Sequence, residues 1–162
     1  MKKYAILMCC MGNICRSPTA EGVLRAKLDA AGLSDLVELD SAGTHDYHVG
    51  RAPDARSQRY ALQRGYDLSA QRARQVGPGD FERFDLVLAM DHANLAALRR
   101  LHPGASSDKL RLLMSFATRH KAEEVPDPYY GEGDGFARVL DYIEDACDGV
   151  IGMLRQRLAE PS

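Results

Sequence analysis

"LMCCMGNICRSPTAEG", Leu7 to Gly22, holds Cys9, Cys10 and Cys15, three of the chain's four cysteines, beside Arg16 and a Ser-Pro step. On its N-terminal side Tyr4 to Cys9 is a continuous apolar run, the pattern of a strand covered on both faces. On its C-terminal side Ala20, Val23, Leu24, Leu28 and Ala31 form an apolar stripe at helical spacing. Ser17 is expected to cap that helix, Pro18 to open it and Gly32 to stop it. The stretch is therefore a strand-to-helix turn, and the rest of the chain repeats the alternation.

Val37 to Ser41 reads as a second strand, and a helix runs from Pro53 until Gly65. "FDLVLAMD" from Phe84 is a buried strand, Asp91 caps a helix through Leu101, and "KLRLLM" from Lys109 is a fourth strand. In the closing segment Phe136, Leu140, Ile143, Cys147, Val150, Ile151, Leu154 and Leu158 lie at helical spacing. The expected fold is α/β and doubly wound, a four-stranded parallel sheet with helices on both faces and the Cys10-to-Arg16 loop after strand 1. A chain of 162 residues fits one domain, taken as 1–162.

Hydrophobic content of 45% and charged content of 27% suit a soluble globular protein. A net charge of −2 offers no basis for nucleic-acid binding or attraction to an anionic membrane. No apolar run reaches the roughly 18 residues of a membrane span. "MKKYAILMCCMG" begins like a signal peptide. Its apolar run is short, no A-x-A site follows, and Asn13, Arg16 and Ser17 arrive at once. Three bunched thiols make a poor disulfide framework, so a reducing cytoplasm is the expected location.

The turn lies at the carboxyl edge of the sheet, where open α/β proteins bind ligands. Met11, Gly12, Asn13, Ile14 and Cys15 separate Cys10 from Arg16, a loop long enough to wrap a tetrahedral dianion. Inward N–H groups and a helix N-terminus would hold the anion, and Arg16 offers a planar fork to two of its oxygens. Gly12 and Asn13 best tolerate the positive φ of such a nest. The same field favours a thiolate at Cys10, since helix N-termini and cations depress a thiol from about 8.5. The count selects the nucleophile: six residues on from Cys10 is Arg16, whereas six on from Cys9 is Cys15. Cys9 and Cys147 are expected to be small buried hydrophobes. A zinc site lacks a second pair of ligands at suitable spacing.

"CMGNICRSPTAE" resembles the phosphate-binding loop of the low-molecular-weight protein tyrosine phosphatases. The resemblance continues through "DSAGT" from Asp40, "VGRAPDAR" from Val49, "RARQV" from Arg72, "LAMDHANL" from Leu88 and "DPYYG" from Asp127. It implies metal- and cofactor-independent hydrolysis of phosphotyrosine through a cysteinyl-phosphate. Cys10 would be the nucleophile, Arg16 the phosphoryl-binding cation, Ser17 a donor to the thiolate and Asn13 the holder of the loop's shape. Asp127, stiffened between Pro126 and Pro128, would be the general acid. Tyr47 and Tyr129 would flank the substrate ring, Tyr130 reads equally as a cleft or a surface tyrosine, and His45 and His48 read as surface loop residues. Gln71 stands where many members carry a histidine against the loop asparagine, and it is expected to hydrogen-bond Asn13. Cys15 is near enough to trap an oxidised Cys10 as a disulfide.

The implied partner is a phosphotyrosine protein, with no nucleic acid, no membrane and a monomeric enzyme. Arsenate reduction on the same fold needs relay cysteines, and only Cys147 is left for that. A phosphoarginine phosphatase would carry a small polar residue in place of Ile14. A non-catalytic phosphotyrosine-binding module would need neither Cys10 nor Asp127.

Overall fold

The computed structural model describes residues 2–128 and 134–159. Four strands, β1 (Tyr4–Cys10), β2 (Val37–Gly43), β3 (Leu86–Ala89) and β4 (Leu110–Leu112), form one sheet. All pairs are parallel, in the order β2-β1-β3-β4. The connections contain α1 (Arg16–Ala31), α2 (Ala55–Gln63), α3 (Pro78–Arg83) and α4 (His92–Leu101), and α5 (Asp134–Ala159) closes the chain.

Strand periodicity divides the core in two. Ile6, Met8 and Cys10 face the cluster built by α1 and α5, with Leu24, Ile143 and Val150. Ala5, Leu7 and Cys9 face the other cluster, with Phe81, Phe84, Leu95 and Leu98. Cys9 is thus a wholly buried core residue, on the opposite face from Cys10.

Several boundaries differ from the sequence reading. Ser17 is not the cap of α1: the N-cap is Cys15, without a side-chain cap hydrogen bond. The Ser17 hydroxyl is instead engaged by the Cys10 sulfur, and Pro18 sits within the first turn, where a missing N–H costs no helical hydrogen bond. Helix α3 has no counterpart in the sequence reading. Its six residues open on Pro78, and Asp80 accepts from the Gly77 N–H. β4 spans only three residues before the chain tightens into a 3₁₀ turn, Leu113–Phe116. Other signals stand as read. Gly32 ends α1 at φ 73°, Asp54 caps α2 through the N–H groups of Arg56 and Ser57, and Asp91 caps α4 through Asn94.

Candidate active site

β1 ends at Cys10, and the chain reaches α1 through residues 11–15. β2 and β3 flank β1 on opposite sides, so the loop opens at the crevice where the sheet's connections diverge. Three of its carbonyls are tied outward: Cys10 O accepts from Thr44 N, Met11 O from His45 N and Ile14 O from Asp54 N, at 2.8–2.9 Å. In trans peptide planes the N–H groups of Met11, Gly12 and Cys15 point the other way, toward the pocket that these residues line.

The left-handed residue of the loop is Asn13, at φ 58°. Gly12 does not share that conformation, and a Cβ there would lie 2.8 Å from the His48 ring atom Cδ2. Asn13 is buried and uses its whole amide. Its Nδ2 donates to Ser17 Oγ at 2.8 Å and to Ser41 Oγ at 3.0 Å, and its Oδ1 accepts from Arg74 N at 3.0 Å. Gln71 reaches Asn13 only through Ser41, correcting the expected direct bond. Gln71 Oε1 lies 3.4 Å from Ser41 Oγ, and Nε2 donates to Pro18 O. The Asn13 amide is already taken by Ser17, Ser41 and the Arg74 N–H, which leaves Gln71 no direct partner there.

Cys10 Sγ lies 3.0 Å from Ser17 Oγ. Arg16, 2% exposed, donates through Nη1 to Asp91 Oδ2 at 2.6 Å and to Val125 O at 3.0 Å. Its Nη2 stands 3.6 Å from the half-exposed Asp127 carboxylate. Burial opposes the arginine's charge, but Cys10 and Asp91 more than offset it and hold the guanidinium firmly protonated. The other thiols are muted. Burial pushes Cys15 up to about 12 despite a hydrogen bond with Ser57, and burial also raises Cys9 and Cys147.

The pocket encloses about 190 Å³. Cys10 and Arg16 line it together with Ile14, Tyr47, His48 and Asp127. A larger cavity of about 560 Å³ lies between α1, β2 and residues 65–72, and no cysteine lines it. The structure therefore brings Cys10, Arg16, Ser17, Asp127 and Tyr47 together, with the intervening residues 11–15. Tyr129 and Tyr130 lie outside the described residues. Sequence reasoning misses Asp91, Ser41 and His48 as site residues. It finds Asp91 only as a helix cap, a role that conceals the second carboxylate oxygen. Among the described residues no group of three or more His, Cys, Asp or Glu could hold a metal ion.

Residues 5–160 match the family described as low molecular weight phosphotyrosine protein phosphatase. A low molecular weight protein-tyrosine-phosphatase of Streptomyces coelicolor is 44% identical over 158 residues, 96% of this chain and 96% of that protein. Low molecular weight protein-tyrosine phosphatase A of Mycobacterium tuberculosis is 40% identical over 152 residues, 93% of this chain and 91% of its own. The crystal structure of a protein tyrosine phosphatase from Entamoeba histolytica, with Hepes in its active site, superposes with a TM-score of 0.92 at 39% identity. That match covers 96% of this chain and 99% of the other. A thiol-and-arginine loop at the end of a central parallel strand, matched over nearly the whole chain, places this protein in the low molecular weight phosphotyrosine protein phosphatase family.

Proposed function

We propose that this chain hydrolyses phosphotyrosine in proteins, with Cys10 as nucleophile, Arg16 as phosphoryl-binding cation and Asp127 as general acid and base. The observation that carries this is the meeting of all three side chains in one small pocket, with the Ser17 hydroxyl on the sulfur. The loop N–H groups and Arg16 hold the phosphoryl oxygens. Cys10 Sγ attacks phosphorus, the bond to the phenolic oxygen breaks, and that oxygen takes the Asp127 proton. Water then attacks phosphorus, giving its proton to Asp127, and the P–S bond breaks to release phosphate and restore the thiolate. Charge is supplied by the chain itself, so the reaction needs no metal or cofactor.

Ile14 and Tyr47 give the pocket apolar walls suited to an aryl stem. Cys147 lies wholly buried on α5, packed toward Ala20, which disfavours a disulfide relay for arsenate. The bulk of Ile14 favours tyrosine over phosphoarginine, and retention of both nucleophile and acid favours an enzyme over a binding module. The same reading takes 1–162 as one domain acting as a cytoplasmic monomer on phosphoproteins. Among the described residues no helix is long and apolar enough to cross a membrane.

Phosphotyrosine peptides should be cleaved far faster than phosphoserine peptides, and Cys10→Ser should lose nearly all turnover while still binding vanadate. Comparable rates on both peptides, or a Cys10→Ser enzyme retaining more than a few per cent of activity, would refute the assignment. Equal turnover of phosphoarginine would redirect it to the sister activity.

A further inference from the structure

Two carboxylates meet the start of α4, and they come from different parts of the chain. Asp91, its N-cap, accepts from the Asn94 N–H through Oδ1 at 2.7 Å and holds Arg16 through Oδ2 at 2.6 Å. Glu124 reaches the same turn from the segment after β4, and its Oε2 accepts from the His92 N–H at 2.8 Å. His92 and Asn94 are the first and third residues of the helix, so these are N–H groups that have no acceptor within it. The positive end of the helix dipole favours both anions. Asp91 serves the site through Arg16. Glu124 does not line the pocket, and the proposed reaction gives it no task.

Glu124 stands three residues before Asp127. Between them Val125 is wholly buried, its N–H donating to Met90 O at 2.8 Å and its carbonyl accepting from Arg16 Nη1 at 3.0 Å. Pro126 follows, with its φ fixed near about −65°. The direction in which the chain leaves Val125 is therefore passed on to Asp127. Ties at Val125 alone would let the segment pivot about that residue. The Glu124 side chain adds a second tie one residue earlier and removes the pivot. Farther upstream, Asp145 holds residues 118–120. Glu124 is exposed, so water competes for its contact, which has the weight of a single helix cap rather than of a buried pair.

We propose that Glu124 is a positioning residue for Asp127. By accepting from His92 it moors the acid-bearing segment to the same helix start that orients Arg16, and so fixes the acid relative to the phosphoryl-binding cation. Without the Glu124 carboxylate, Asp127 keeps its chemistry but spends less time where the leaving oxygen takes its proton. Arg16 keeps Asp91, so phosphoryl binding is spared. The neighbouring Glu123 lies 3.7 Å from the His92 ring, an exposed contact that solvent screens, and it provides a control of equal charge. The proposal rests on Asp127 being the acid.

The mooring is read without substrate, from hydrogen exchange of the Val125 amide by NMR, corrected for the intrinsic rate of each sequence. Glu124→Ala should lower Val125 protection about three- to tenfold, as loss of one exposed cap supports. Glu124→Gln keeps an acceptor oxygen and should retain wild-type protection, as should Glu123→Ala. The Met90 amide, bonded to Cys9 O, should be unchanged in all of them, which shows the sheet intact. The catalytic arm compares kcat on a phosphotyrosine peptide with kcat on p-nitrophenyl phosphate. Glu124→Ala should lower that ratio about three- to tenfold with KM little changed, while Glu124→Gln and Glu123→Ala leave it alone. On top of Asp127→Asn, Glu124→Ala should change the ratio no further. Unaltered Val125 protection in Glu124→Ala would overturn the proposal, as would a Glu124→Gln protein that behaves like Glu124→Ala. Equal slowing of both substrates, or a fall in the ratio that persists without the Asp127 carboxylate, would overturn it too. A wild type inert toward phosphotyrosine, or an Asp127→Asn enzyme with the wild-type ratio, would sink the proposed function instead. A fall in Val125 protection would then still leave the mooring of the segment standing.

Discussion

Asp127 stands 3.6 Å from Arg16, close enough for the cation to keep its carboxylate turned into the pocket. As the proposed general acid, Asp127 matters in proportion to the basicity of the departing oxygen. p-Nitrophenolate leaves almost unaided, whereas a tyrosine phenolate, with a pKa near about 10, needs the acid. Asp127→Asn should slow phosphotyrosine cleavage about 10²–10⁴-fold and p-nitrophenyl phosphate cleavage much less. Burst rates over a series of aryl phosphates should show a steeper dependence on leaving-group pKa in the variant. Identical slopes would reduce Asp127 to a turn residue. Gly43 offers a second residue-scale test. A Cβ there would stand 2.8 Å from Met11 O and 3.1 Å from Asn13 N, both backbone atoms of the loop. Gly43→Ala should therefore cost about 10²-fold in kcat/KM through displacement of the loop, with little loss of Tm. The count from Cys10 to Arg16 is legible because it is local in sequence. Asp91, Ser41 and His48 are not, because their roles arise from meetings across 75, 28 and 36 residues that no spacing rule encodes.

At the scale of elements, α5 does more than cover the sheet. Asp145, wholly buried on this helix, accepts from the backbone N–H groups of Thr118, Arg119 and His120 and from the His120 ring. It pins the segment that leads to Val125 and Asp127. Burial alone would raise this carboxyl, but the Thr118 N–H and the His120 ring and N–H more than offset it, bringing Asp145 down to about 2. Its folded value lies below the unfolded one, so the stabilisation is complete above about pH 4 and is lost as pH falls toward 2. That difference corresponds to roughly 2 kcal/mol. Asp145→Asn should lower the unfolding free energy by about that amount at pH 7 and flatten its decline in acid. Urea titrations at pH 7 and pH 3 check both, and a parallel decline in the two proteins would discount the staple. The long helices and the strands β1 and β3 are legible from period and capping residues. α3 and the early end of β4 are not, since six helical residues and three strand residues carry too little periodicity to register.

For the whole molecule, the proposed function draws the positive charge facing a phosphoryl group from Arg16, the loop N–H groups and the start of α1. Turnover should be unchanged by an excess of a metal chelator, and loss of activity that added metal restores would contradict this source of charge. The sheet also constrains how the molecule comes together. β1 pairs Ile6 with Leu39 on one side and with Leu86 on the other. Cys10, the proposed nucleophile, is the last residue of that strand, and its loop and Arg16 are braced by residues just after β2, by the segment before α3 and by the cap of α4. The site therefore depends on contacts between residues far apart in the sequence, which must close large loops before any contact rewards them. Stopped-flow refolding should show α1 and α5 gaining helical signal before Cys10 becomes reactive. A chain emerging from the ribosome acquires its chemistry only after β3 has been made, so a nascent fragment ending short of Leu86 carries the whole loop motif and no working centre.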